Sequence, residues 1–345
     1  MQSNCQSFSR RSFLAASAVG LGTAAKSPAQ PAAPKDQGFQ YDSLKWIDEQ
    51  DDPSLTLETE NLIAKVIDNT GLKVRPSQRP VDREPEYSHA LGYHAIRSLW
   101  HKTERRNIVA PFVSWLNLQA IQVEGLKLDP IDSRARYGVA RGWPIRMEQD
   151  GKAVVLKLAR MPVSGIEYSL RLQPGGANAI DFEAAFTLHE KTAAKAKFYA
   201  SWPCYLSTYG EVELHAPTGD PAKPDWKAFG EKQDFVVGET VNYAHSQRTF
   251  RPSGPLAFPA VYGRIGTRVL AIMVSRPEVK FFIVNAGGHR SYFPVQNPAW
   301  DFAFELPDYE KGKPFGFRGR LIYQSWTGAE DLTARYHQWV EASGS

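Results

Sequence analysis

The chain has 345 residues and a formal charge of +4. Three of the surplus positive charges, Arg10, Arg11 and Lys26, fall in the first 30 residues, which contain no acidic side chain. The remainder is therefore close to neutral and has no electrostatic footprint for nucleic acid. Of the two cysteines only Cys204 lies beyond that stretch, so an internal disulfide is excluded there. Stability must come from a core built on nine Trp, fourteen Tyr and eighteen Phe.

In chain order, Ser9-Arg10-Arg11-Ser12-Phe13-Leu14 followed by a small-residue apolar run from Ala15 to Ala25 has the pattern of a twin-arginine export signal. The run is too short and too rich in Ala and Gly for a membrane span of about 20 residues. This predicts a leader over residues 1–30, export of the folded protein, and a periplasmic or secreted location. No membrane contact is expected once the leader is gone. The proline-rich tether Pro28–Pro34 opens a linker and surface wrap over residues 31–54.

From about residue 55 the apolar positions alternate, as in half-buried strands. Ile166–Leu172 and Ile180–Leu188 flank the turn Pro174–Asn178 and predict a hairpin. Further strands are predicted at Val154–Leu158, Val212–His215, Asp301–Leu306 and Phe315–Tyr323. Arg268–Val274 and Phe281–Val284 are almost continuously apolar, as strands covered on both faces are. About fourteen to eighteen antiparallel strands with frequent turns predict an all-β protein, one large β-sandwich over residues 55–326. A helix over 327–345 closes the chain and packs on the sandwich. Thr327-Gly328-Ala329-Glu330 reads as its capping box, with Leu332, Tyr336, Trp339 and Val340 on one face.

Four constellations are candidates for chemistry. In Tyr93–Lys102, strand parity puts His94, Ile96, Ser98 and Trp100 on one face and Arg97 on the other. His94 is a titratable group suited to proton transfer, weighed against a histidine hydrogen-bonded inside a sheet. His89, His94 and His101 do not have the spacing of a compact metal motif. No cofactor is expected, with a metal ion as the weaker alternative. Val109–Leu118 offers Trp115 as a stacking platform and Asn117 as a partner for hydroxyls. Ser201–Leu206 offers Trp202 and Tyr205, with Cys204 read as a buried filler rather than a nucleophile. In Asn285–Phe293, two glycines present His289 and Arg290 at a loop tip beside Tyr292, and Trp300 and Asp301 begin a strand shortly after. Asp301, Glu305 and Asp308 are candidate bases. Asp301 and Glu305 share parity but stand about 13 Å apart by strand rise, too far for a paired-carboxylate glycosidase. No serine-hydrolase elbow, phosphate loop or dinucleotide fingerprint is present.

The strand-rich body over roughly 55–325, the block from Gly92-Tyr93-His94 to Asn117-Leu118, and the late block Asn297-Pro298-Ala299-Trp300-Asp301-Phe302 together resemble the galactose-mutarotase-like β-sandwich superfamily. That resemblance implies a supersandwich with a concave sheet face that holds a carbohydrate, lined by His, Arg, Tyr and Trp. Aldose epimerases of this group carry Asn-His-x-Tyr-Phe-Asn-Leu at their central histidine. Here the nearest string, His289-Arg290-Ser291-Tyr292-Phe293, lacks the flanking Asn residues and comes late in the chain, which argues against simple aldose mutarotation.

The expected function is that of an exported carbohydrate-active enzyme working on a sugar or uronic-acid-containing glycan by elimination or epimerisation. His94 or His289 would be the base and Arg97 or Arg290 the cation. Trp115, Asn117, Trp202, Tyr205, Tyr292, Trp300 and Asp301 would hold the substrate. Glycoside hydrolysis stays open, as do a non-catalytic carbohydrate binder on the same scaffold and an envelope scaffold. Nothing in the sequence fixes the oligomeric state.

Overall fold

The structure is a computed structural model that describes residues 54–69, 93–104, 106–109, 114–129, 143–206, 213–229, 231–233, 249–284 and 299–342. All of them belong to one unit, Leu44–Ser345. The second unit, Met1–Ser43, and with it the predicted leader and most of the predicted wrap, lies outside the described residues.

Eighteen strands and one helix are present among the described residues. A three-stranded sheet in the order β1-β2-β3 comprises Ser54–Glu58, Leu62–Ile67 and Ala95–His101. A nine-stranded sheet contains β5 (Ile145–Asp150), β6 (Ala153–Leu158), β7 (Ile166–Gly176), β8 (Ala179–Leu188), β10 (Leu214–Thr218), β11 (Asp225–Ala228), β14 (Ala260–Ile265), β15 (Arg268–Val274) and β18 (Pro314–Ser325). A six-stranded sheet, in the order β12-β13-β16-β17-β9-β4, contains β4 (Ala120–Val123), β9 (Phe198–Trp202), β12 (Glu231–Gln233), β13 (Thr249–Arg251), β16 (Val279–Val284) and β17 (Ala299–Leu306). All strand pairings among the described residues are antiparallel, as alternating polarity and short turns require. The all-β sandwich read from the sequence is the architecture of the molecule.

The β7–β8 hairpin matches its prediction, but pairing runs through Gly176↔Ala179 with a register shift at Pro174, so the strands extend into the predicted turn. β15 is buried at every position. Leu270, Ile272 and Val274 face the sandwich interior, while Val269, Ala271 and Met273 face a second cluster with Leu332, Tyr336 and Trp339 of helix α1 (Ala329–Ala342). The helix therefore covers the outer face of the nine-stranded sheet, which is why β15 has no polar side to its pattern. Its start differs from the capping box. Thr327 Oγ1 bonds the Asp331 carboxylate (2.8 Å), which also receives Gln324 and Arg335.

The two large sheets meet across a layer of rings. Trp202 lies flat on Phe302, 5.3 Å between centroids at 17°, and edge-on to Phe317 at 5.2 Å. Phe186 packs on Tyr168 and Phe198. Every ring in this layer comes from an alternate position of its strand. Gly319 makes the room: a Cβ there would stand 2.0 Å from the Phe182 ring.

Phe302→Ala is expected to cost about 3–5 kcal/mol, and Gly319→Ala about 1–3 kcal/mol through displacement of Phe182. Urea unfolding of both variants checks this. Stabilities equal to the parent would show that the ring layer does not hold the sheets together.

Candidate functional site

The three predicted tryptophan platforms point inward. Trp115, Trp202 and Trp300 are at most 1% exposed and belong to the central core. Trp202 gives its face to Phe302 and its Nε1–H to Tyr168 Oη (3.3 Å), and Trp115 donates Nε1–H to the Tyr205 carbonyl. Ring faces used up in the core cannot stack on a sugar, so the expectation for these three is corrected. On β17 the even positions Trp300, Phe302 and Phe304 fill the core, which sends Asp301 the other way.

His94 and Asn117 are brought together, as a structural latch. Both are fully buried. The His94 N–H donates to Asn117 Oδ1 (3.3 Å), and the Leu118 N–H donates to His94 Nε2 (3.1 Å). A ring nitrogen that accepts from a backbone amide carries no proton, so its lone pair is engaged. Proton abstraction through His94 Nε2 is therefore not supported by its geometry. Ile96 and Trp115 exchange both backbone hydrogen bonds beside the latch (3.0 and 2.8 Å). Ala95 (φ 74°) and Leu116 (φ 58°) adjoin it in the left-handed region, the non-glycine residues described there. Each costs on the order of 1–3 kcal/mol and persists only where neighbours over-determine it. The Asn117 Nδ2 group is buried with no hydrogen-bond partner among the described residues.

The latch leads to a carboxyl. The Leu116 amide hydrogen-bonds the Cys204 thiol, and the Cys204 N–H donates to Asp301 Oδ1 (3.2 Å). Burial pushes the Cys204 thiol up and keeps it protonated, as expected of a filler. Asp301 is 7% exposed, and burial raises its pKa to about 7, against the pull of the Cys204 amide. The other candidate carboxylates differ. Asp308 is tied to Lys191 (2.7 Å) and to the Ala196 N–H, and those contacts lower its pKa. Glu305 is exposed.

Asp301 stands on the face of the six-stranded sheet that looks away from the core. Its cross-strand partner is Phe282, and Ala299 next to it bridges Tyr205. Tyr205, half-buried, packs on this face beside Tyr199 and Phe282. Ser201, Tyr199 and Gln122 complete it, placed by the registers Ala303↔Ser201, Glu305↔Tyr199 and Gln122↔Tyr199. Of the predicted substrate-binding residues, Tyr205 and Asp301 come together here. Arg97 lies on β3, in the three-stranded sheet. His289, Arg290 and Tyr292 lie outside the described residues. Sequence reading missed Tyr199, Ser201 and Gln122. Their signal was parity with Asp301 once the strands are registered, which a single strand does not show.

A second polar network sits apart from this one. His101, with Nδ1 2.8 Å from Thr103 Oγ1, is held below its ordinary pKa by burial and by Arg268. Arg268 pairs with Glu104, which also accepts from Tyr323 Oη (3.3 Å). His94 and His101 are thus in separate networks.

No protein-family model matches the sequence, and no curated protein matches it. Solved structures do. A candidate aldose 1-epimerase from Escherichia coli K12 superposes with a TM-score of 0.51 at 11% identity, covering 79% of this chain and 99% of its own. An aldose epimerase homologue from C. elegans gives 0.48 at 10% identity over 80% and 100% of the two chains. A galactose mutarotase related enzyme from Lactobacillus acidophilus gives 0.45 at 11% over 80% and 98%. The fold is that of the galactose-mutarotase-like β-sandwiches. At these identities the likeness speaks for the fold alone.

A carboxyl whose folded pKa lies above its unfolded value of 3.8 binds a proton more tightly in the folded protein. Its contribution to stability is then present below about pH 4 and lost as the pH rises to about 7. Asp301→Asn should gain stability over the parent across that window, on the order of 4 kcal/mol by its upper end. Unfolding free energies of both proteins across the window check it. A difference that does not change with pH would place the Asp301 carboxyl in water.

Proposed function

We propose that the protein is an exported carbohydrate-active enzyme in which Asp301 carries the proton. The observation behind this reading is a buried carboxyl with a pKa of about 7 on the outward face of a sheet, beside Tyr205 and Ser201. A group half-protonated near neutrality takes and returns a proton with little bias either way, as general acid–base catalysis requires. The Ser201 hydroxyl on the same face suits a sugar hydroxyl, and Tyr205 supplies an aromatic surface for a ring. The fold likeness to candidate and related epimerases gives the substrate class its support.

The proposed reaction is epimerisation of a sugar, or elimination on a uronic-acid-containing glycan. Both begin with removal of a proton from carbon next to an electron-withdrawing group. The charge that develops needs a cation, and Arg97 and Arg290 are the residues to test for it. His289 stands as a second candidate acid or base.

Asp301→Asn should lower turnover about 10²–10⁴-fold while glycan binding stays within a few-fold. Solvent deuterium incorporation into sugar carbons, followed by NMR, and ultraviolet absorbance of unsaturated products are the readouts over a panel of sugars and uronic glycans. Binding without any turnover in the parent protein would make it a carbohydrate-binding protein, and unchanged turnover in Asp301→Asn would remove Asp301 from the mechanism.

The location is part of the same proposal. Changing Arg10 and Arg11 together to Lys should leave the protein in the cytoplasm, as cell fractionation would show. A periplasmic or secreted double variant would refute export by the twin-arginine route.

A further inference from the structure

The outward face around Asp301 does not end at one ring's width. Phe282, directly opposite Asp301, also lines a cavity of about 870 Å³. Ala303, two residues along β17, continues its floor, and Phe258 and Pro255 contribute apolar surface from the loop before β14. The charged groups of the cavity are Lys280, paired with Ala303 across the sheet, and Glu305. Both are exposed, and neither has an ion-pair partner among the described residues. Lys280 Nζ donates one hydrogen bond, to the Pro277 carbonyl (2.8 Å), which leaves two donors free.

Strand geometry gives the scale. Ala303 is about 6.6 Å from Asp301 along the strand and Lys280 about 4.8 Å further across, so the two Cα atoms stand about 8 Å apart. The cavity is at the upper end of the range for small-molecule sites, about 300–1,000 Å³, and it begins beside the carboxyl rather than around it. Its walls are apolar, with one cation and one anion. A polyhydroxylated ring has that complement, with C–H groups against the apolar walls and hydroxyls that accept from Lys280 and donate to Glu305. A run of acidic sugars would instead meet the Glu305 carboxylate.

We infer that the Phe282–Ala303–Lys280–Glu305 cavity is a second sugar subsite, which makes the ligand an oligosaccharide with a neutral ring next to the reacting one. This rests on the reading of Asp301 as the reacting centre, and the test separates the two. A glycan array carrying mono-, di-, tri- and tetrasaccharides of neutral and uronic sugars is the probe, with the full processed chain as analyte. Binding should strengthen from mono- to trisaccharide and favour chains with a neutral unit beside the terminal one. Ala303→Phe, which fills the floor, should abolish the gain with length. Since Ala303 is buried and a phenyl ring there strains the sheet packing, Lys280→Ala and Glu305→Gln on the exposed rim serve beside it. Each should weaken trisaccharide binding about tenfold, the cost of one hydrogen bond to a charged group. Equal binding of mono- and trisaccharides, no binding to any spot, or undiminished trisaccharide binding in both rim variants would overturn the inference. Asp301→Asn distinguishes the two readings. If it keeps the length dependence, and the parent turns nothing over, the catalytic reading fails and the subsite stands. If the parent turns over monosaccharides and shows no length dependence, the subsite fails alone.

Discussion

Everything in this molecule hangs on one constraint: the two large sheets are joined by aromatic rings projecting from alternate strand positions. Phe182 and Phe186 from β8, Phe198 and Trp202 from β9, Phe302 and Phe304 from β17, and Phe315 and Phe317 from β18 meet in that layer. Each ring removes a large apolar surface from water, and the offset and edge-on contacts add directionality. Because side chains alternate strictly along a strand, filling the inside also decides the outside. Trp300 and Phe302 turned inward are the reason Asp301 is turned outward.

The same constraint explains how a carboxyl comes to have a pKa of about 7. Asp301 sits beside Phe282, Ala299 and Ala303, on a face apolar enough to remove water, with the Cys204 amide as its donor among the described residues. Among the described residues no cation lies close enough to lower its pKa, as Lys191 does for Asp308. Behind Asp301, Cys204 and the Leu116–Asn117 turn link the carboxyl to His94. Two residues in left-handed conformations are held there by reciprocal hydrogen bonds. Backbone strain is more often retained beside a site than elsewhere. Here it fixes the strand end that carries the Cys204 amide.

The network of His101, Thr103, Glu104, Arg268 and Tyr323 serves a different purpose. It ties the turn after β3 to β15 and β18, and so docks the three-stranded sheet against the nine-stranded one with charged hydrogen bonds. Arg268 is buried but Glu104 is exposed, so the pair adds little net stability and its role is to fix one docking arrangement.

How much the sequence determined follows from what is local. Strand alternation at Ile166–Leu188, continuous burial at Arg268–Val274, the apolar stripe Leu332–Tyr336–Trp339 and the buried filler Cys204 all follow from periodicity and composition, and they suffice for an all-β sandwich with a closing helix. The shared parity of Asp301 and Glu305 was equally legible. What a tryptophan faces was not. Trp115, Trp202 and Trp300 are amphipathic residues for which a core and a sugar are equally good partners, and only tertiary packing, which sets Phe302 of the neighbouring strand and Phe317 of the opposite sheet against Trp202, settled the matter. Nor could sequence show that His94 Nε2 accepts from an amide 24 residues away, or that Gln122, Tyr199 and Ser201 share a face with Asp301. Those facts depend on register between strands distant in the chain. Register is set by the sum of all cross-strand contacts, which no segment contains by itself.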